Sequence, residues 1–144
     1  MSLHEHMTEE QILDSLFEAA EKLPEETVRI KRLDMMIVLH GLTSSKVDSI
    51  RERCTIRRTV KGSVEEKVDG ETFNAMLIAE ATSKLEVKGL PLSGWGDPRI
   101  TSRMKLSGGE QAVRRLLLAG ELDAVGDKVL ELSGFGVDID DLKN

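Results

Sequence analysis

Tyrosine is absent from the 144-residue chain, tryptophan and cysteine occur once each, and phenylalanine occurs three times. With so few rings the core has to be aliphatic, built on Leu, Val, Ile and Met. A stacking platform for single-stranded nucleic acid needs several exposed rings and is largely excluded. A lone Cys54 permits no intrachain disulfide and no zinc site of several thiolates. Apolar runs stop after a handful of residues, far short of the ~20 that a spanning helix needs. The Met1-Ser2-Leu3 start lacks a basic segment followed by an apolar one, the mark of a secretory signal. These absences predict a cytosolic protein with no membrane partner.

Charge is present in quantity but unevenly placed. Of all residues 32% are charged and 40% apolar, the balance of a globular domain, and the length fits one domain spanning residues 1–144. The net charge is -6, yet residues 1–25 hold seven acids and one base, while residues 26–70 hold seven acids and ten bases. Acidic ends argue against bulk affinity for nucleic acid. Residues 1–7 and 137–144 are expected to fray.

Periodicity predicts an α+β domain, mainly helical, with about five helices and one or two small antiparallel hairpins. Thr8-Glu9-Glu10-Gln11 is a capping box. Behind it Ile12, Leu13, Leu16, Phe17 and Ala20 form an apolar face, opposed by Glu9, Glu10, Asp14, Glu18 and Glu21. The helix reads as packed on the surface of the core, with a partner-docking helix as the functional alternative; Leu23-Pro24 ends it. Thr27–Leu33 and Met36–His40 alternate as a hairpin turning at Asp34-Met35. A helix capped at Thr43, Ser44 or Ser45 turns Val47, Ile50 and Cys54 inward. Residues 55–68 form either a partly ordered hairpin over Gly62-Ser63 or a charged loop. Asp69 caps a helix over Gly70–Thr82 with Phe73, Met76, Leu77 and Ala81 inward and the Glu80 carboxylate in water. Residues 83–109, rich in Gly and Pro, are expected to wrap the core irregularly around Trp95, with a short helix opened by Pro98.

The densest apolar stripe lies last. Val113, Leu116 and Leu117 mark one helical face; Leu118, Leu122, Val125, Val129 and Leu132 step by four, three, four and three. The stripe changes sides at Gly120, which predicts two helices, roughly 109–119 and 121–133, meeting there. Gly134 is placed for a left-handed cap, with Phe135 folding back.

No constellation for catalysis or metal binding emerges, and no cofactor motif. Leu106-Ser-Gly-Gly-Glu-Gln111 is close to the signature turn of ABC-type ATPases, but the chain has no Gly-x-x-x-x-Gly-Lys phosphate loop to serve it; the glycines read as a helix cap. His4 and His6 sit in the N-terminus expected to fray, which leaves His40 the only histidine in the body of the domain, where a strand end suits a packed or solvated histidine better than a catalytic base. The basic stretch Lys46–Lys61 has three readings: a solvated face paired with the acidic first helix, a docking surface for an acidic partner, or a nucleic-acid patch without a binding fold to support it. Arg51, Arg57 and Arg58 are its candidate partner-binding residues, and Trp95 is a further candidate.

Four segments, in order, resemble the XkdN-like tail assembly chaperones of phages and phage-like elements of Gram-positive bacteria. They are Leu23-Pro-Glu-Glu-Thr-Val-Arg-Ile-Lys-Arg-Leu33, Phe73-Asn-Ala-Met-Leu-Ile-Ala-Glu-Ala-Thr82, Leu116-Leu-Leu-Ala-Gly-Glu-Leu-Asp-Ala124 and Lys128-Val-Leu-Glu-Leu-Ser-Gly-Phe135. The chain departs from the family at Leu90-Pro-Leu-Ser-Gly-Trp-Gly-Asp97, where a Pro-rich link containing Tyr-Gly is usual. The resemblance implies a non-enzymatic protein that holds the tape-measure protein soluble during tail assembly, contacts other tail proteins, and leaves before the particle is finished. The alternatives are a tail component retained in the particle and a nucleic-acid-binding regulator. Met35, Met36, Met76 and Met104 are candidates for an accessible apolar surface, although burial suits most of them better.

Overall fold

A computed structural model describes residues 6–136; the expectations of fraying at residues 1–5 and 137–144 lie outside them. Six strands and six α-helices follow one another as α1 (Glu9–Glu21), β1 (Glu25–Ile30), β2 (Met35–His40), α2 (Ser44–Arg53), β3 (Thr55–Val60), β4 (Ser63–Val68), α3 (Gly70–Ala81), β5 (Thr82–Val87), β6 (Leu90–Leu92), α4 (Pro98–Met104), α5 (Gly109–Leu116) and α6 (Ala119–Leu132). The α+β class stands.

The first strand of the first hairpin begins and ends earlier than its sequence suggests. β1 and β2 pair antiparallel from Glu25↔His40 to Ile30↔Met35. Their turn is a short 3-10 helix, Lys31–Leu33, closed by Asp34 in the left-handed region at φ 49°, so Met35 begins a strand rather than completing a turn. β5 then pairs with β2, and β6 with β5, in a four-stranded antiparallel sheet ordered β1-β2-β5-β6. Half of the sheet thus comes from the segment expected to be irregular, which also supplies α4.

Two identical turns explain that difference. Lys61-Gly62 has φ 51° and 79°, and Lys88-Gly89 has φ 51° and 81°. Both residues of each turn are left-handed, the geometry that joins two strands without splaying them. Asn-Gly is the usual signal for it, and here Lys takes the first place. The second hairpin therefore turns at Lys61-Gly62 and is paired without a break from Thr55↔Val68 to Val60↔Ser63.

The sheet is covered on one face. Ile30, Met35, Ile37, Leu39 and Leu85 are buried there, whereas Arg29, Met36, Lys84 and Glu86 alternate to the open face. α3, α5 and α6 supply the opposing side of the core with Ala75, Leu77, Ile78, Ala81, Ala112, Val113, Leu122, Val125 and Val129. Each large side chain so buried contributes about 1.5–3 kcal/mol. Met35 is buried, Met76 packs half-buried against the core and Met36 keeps part of its surface exposed. Close approach is built in at Gly41, where an added Cβ would lie 2.2 Å from the Leu132 carbonyl oxygen of α6.

The C-terminal stripe breaks earlier than Gly120. α5 ends at Leu116, Leu117 and Leu118 are extended, and Gly120 lies in the first turn of α6. A carboxylate sets the boundary: Glu121 accepts from the Leu118 amide at 2.8 Å and from Arg32 at 2.7 and 3.1 Å. Arg32 also donates to the Leu116 carbonyl at 2.8 Å, tying the β1–β2 turn to the helix junction. α6 stops as predicted. Phe135 N–H donates to Leu130 and Gly134 N–H to Glu131, with Gly134 left-handed at φ 95°. The Phe135 ring stays half exposed.

Candidate partner-binding surfaces

Arg51, Arg57, Arg58 and Trp95 do not converge. Trp95 is 2% exposed, and its indole donates to the Thr82 hydroxyl at 2.9 Å. It anchors the 83–109 segment as expected, but it stands inside the core and offers nothing to a partner. Arg57 and Arg58 are neighbours on a strand and point to opposite faces of the β3–β4 ribbon. Arg57 bridges Glu66 at 3.0 Å and Glu52 of α2. Arg51 donates to Asp48 at 3.2 Å and lies 5.4 Å from the centre of the Phe73 ring. Lys46 bridges Glu80 at 3.1 Å. The basic stretch is therefore partnered mainly by its own neighbours and by Glu80, and none of these ion pairs involves α1. The expected pairing with the acidic first helix does not form.

The remaining motifs are structural. Cys54 is buried with its Sγ 3.4 Å from the Met76 Sδ, and burial pushes its thiol pKa up, away from reactivity. His40 contacts the Gly41 carbonyl at 2.9 Å. In the Ser-Gly-Gly turn, Gly109 brings α5 against Trp95 and Gly96: a Cβ there would meet the Gly96 nitrogen at 3.2 Å. Asp97 is buried and caps α4. It accepts from the Arg99 and Ser93 amides, each at 2.9 Å, and from the Arg99 guanidinium at 2.8 Å. These bonds, Arg99 foremost, hold its carboxyl far below the usual range. Among the described residues no group of three His, Cys, Asp or Glu is arranged to hold a metal, and no helix is long and apolar enough to cross a membrane.

What the molecule leaves open is α1. Its cap forms as expected, Thr8 Oγ1 accepting from the Gln11 amide at 3.1 Å and Gln11 Oε1 from the Thr8 amide at 2.9 Å. No residue of the helix is buried. Leu16 and Phe17 are 58% and 59% exposed, beside Ile12 and Leu13 at 44% and 43%. Packing on the core, expected from the apolar stripe, does not occur. Glu10, Asp14, Glu18 and Glu21 share the far side, while Glu9, three and four residues before Ile12 and Leu13, falls on the apolar side. With acids rather than bases in its last turn, α1 opposes its own dipole. Isolated helices of under ~12–15 residues are marginal in water.

A second open element is the β3–β4 ribbon. Ile56 and Val60 lie exposed on one face, Val64 and Val68 on the other. Two-stranded hairpins are barely stable alone. This one is held at its foot by the Asp69 amide donating to the Cys54 carbonyl at 3.0 Å and by Arg57 reaching Glu52. A third is a groove of about 640 Å³ at the end of the sheet's covered face, between the sheet and α4. Leu33, Met35, Val87, Leu90, Leu92, Ile100 and Leu116 line it with Arg99 and Arg103, and no carboxylate does.

Three apolar surfaces thus lie open among the described residues, and a family sequence model places the chain. The model of the phage XkdN-like tail assembly chaperone proteins matches residues 11–144. The chain belongs to that family. No curated protein matches it. Among solved structures, the crystal structure of the protein YqbN is similar, with a TM-score of 0.56 and 18% identity over 84% of this chain and 95% of that one. At that identity the likeness establishes the fold alone. For this tail assembly chaperone family member, sequence reasoning favoured cover by the core over a docking helix for Leu16 and Phe17, since an apolar stripe looks the same whether it is covered or open. Leu90 at the groove was missed because β6 was. The Lys-Gly turn, already visible at Lys61-Gly62, is the signal that could have found it.

Proposed function

We propose that this protein binds the tape-measure protein during tail assembly, reversibly and without catalysis, in the cytoplasm of the bacterial host, and leaves before the tail is complete. The observation that carries the reading is the uncovered apolar face of α1. A chaperone for an extended, amphipathic partner needs accessible apolar surface with charged flanks, and Ile12, Leu13, Leu16 and Phe17 provide it beside four carboxylates. Docking would also supply the tertiary contacts that a helix of this length needs.

Co-expression tests it. The tape-measure protein should be soluble and co-purify with this chain, and both effects should be lost with Leu16→Asp plus Phe17→Asp. A tape-measure protein that is equally soluble without the chain, and never co-purifies with it, refutes the reading. Mass spectrometry of finished tails should not find the chain; finding it at stoichiometric amounts would make it a retained tail component. Contact with nucleic acid is disfavoured by the division of Arg57 and Arg58 between two faces and by the carboxylates that hold Arg57.

A further inference from the structure

The exposed face of α1 and the groove beside α4 complement each other in shape of chemistry. α1 carries an apolar stripe and five carboxylates with no basic residue between Glu9 and Glu21. The groove is apolar and has no carboxylate in its lining; of its two arginines Arg99 is held by Asp97, and Arg103 edges the open space. The two other sizeable depressions suit α1 less well. One, at the foot of the β3–β4 ribbon, sets Glu65, Glu66, Asp69 and Glu71 against only Arg58 and Lys67, a net negative lining. In the other, Arg114 is already engaged by Glu71 at 2.9 Å, and Asp123 shares the lining with Arg115.

A chain cannot seat its own α1 there. The helix joins the sheet through residues 22–24 at the Glu25 end of β1, which pairs with His40. The groove opens at the opposite end, near Leu33 and Met35. Six residues of strand span about 20 Å, and β6 lies three strand spacings, about 14 Å, from β1. A helix of 13 residues is itself only about 20 Å long. Folded back along β1, it would bring Thr8 and Glu9 level with the groove on the wrong edge of the sheet, and leave Leu16 and Phe17 short of it.

We propose that α1 of one copy of this chain seats its Leu16 and Phe17 in the groove of a second copy, with its acidic flank against Arg103, so that the protein self-associates through exchanged helices. The inference goes beyond tape-measure binding and is tested without any client. Sedimentation of the full chain over a range of concentrations should show self-association that weakens as salt is raised. Two variants at exposed positions, Leu16→Asp plus Phe17→Asp in the helix and Leu90→Asp plus Arg103→Glu in the groove, should each weaken it at least about tenfold, with thermal unfolding unchanged at concentrations where wild type is monomeric. Mixing the two variants should restore a one-to-one pair, because one retains a sound groove and the other a sound helix. A chain that is monomeric at every concentration overturns the proposal. So does a dimer indifferent to the groove substitutions, which would place α1 on another surface, and so does a failure of the mixed variants to pair.

Discussion

The body and its outlying elements are built by opposite rules. In the body, every apolar stripe is met by another: Ile37 and Leu39 on the sheet face the Leu77 and Ile78 side of α3 and the Val125 and Val129 side of α6, all within 4% of full burial. In α1 the stripe is as regular, and nothing meets it. The β3–β4 ribbon lies between these extremes, paired within itself and exposed on both faces. An amphipathic pattern therefore specifies that a face will be covered but leaves open by what. In the body the cover is the same chain; for α1 it has to come from outside.

The comparison breaks most visibly in the core. Ile37→Ala should cost about 2–5 kcal/mol, as expected for a large side chain removed where nothing can collapse into the space, and denaturant unfolding measures it. At the seam between β2 and α6, Gly41→Ala should cost about 1–3 kcal/mol, because the new methyl meets the Leu132 carbonyl rather than a movable side chain. Unfolding of the wild type should also depend on Asp97. Its folded pKa is depressed, chiefly by Arg99, so its stabilising contribution is complete above the unfolded value of about 3.9 and is lost as pH falls from there through the folded value. Thermal unfolding of wild type should thus lose its advantage over Asp97→Asn progressively below about pH 4. The smallest effect belongs to α1: Leu16→Asp plus Phe17→Asp should leave unfolding within about 0.5 kcal/mol of wild type. A large loss at a concentration where wild type is monomeric would show that the helix is covered by its own chain and would erase the contrast.

Much of the body was legible in the sequence because its signals are local. Thr8-Gln11, Thr43, Asp69 and Gly134 mark helix ends by residues that bond within a few positions of themselves. The core faces of α3, α6 and β2 followed from spacing alone. What escaped depends on distant partners. β5, Thr-Ser-Lys-Leu-Glu-Val, has only Leu85 and Val87 turned inward, too short an alternation to stand out from the Gly- and Pro-rich segment it opens, and its strand character comes from pairing with β2. The α5–α6 break was placed at Gly120 because glycine is a local cue; the boundary is instead fixed by Glu121 and by Arg32, a residue far earlier in the chain. For the candidate site, proximity in sequence was the misleading guide. Arg57 and Arg58 are adjacent and face apart, and Trp95 was needed by the core.

The bond from the Asp69 amide to the Cys54 carbonyl has a consequence for length. The ribbon leaves the body and returns to it at one point, so nothing in α2 or α3 registers how far it extends. Residues added in matched pairs, one to each strand, would lengthen the reach by about 3.4 Å per pair while keeping both ends in place. One pair would turn the tip over, and two would bring the same face back. The ribbon is thus an adjustable probe on a fixed mount, whose reach and facing can be changed without refitting the body that carries it.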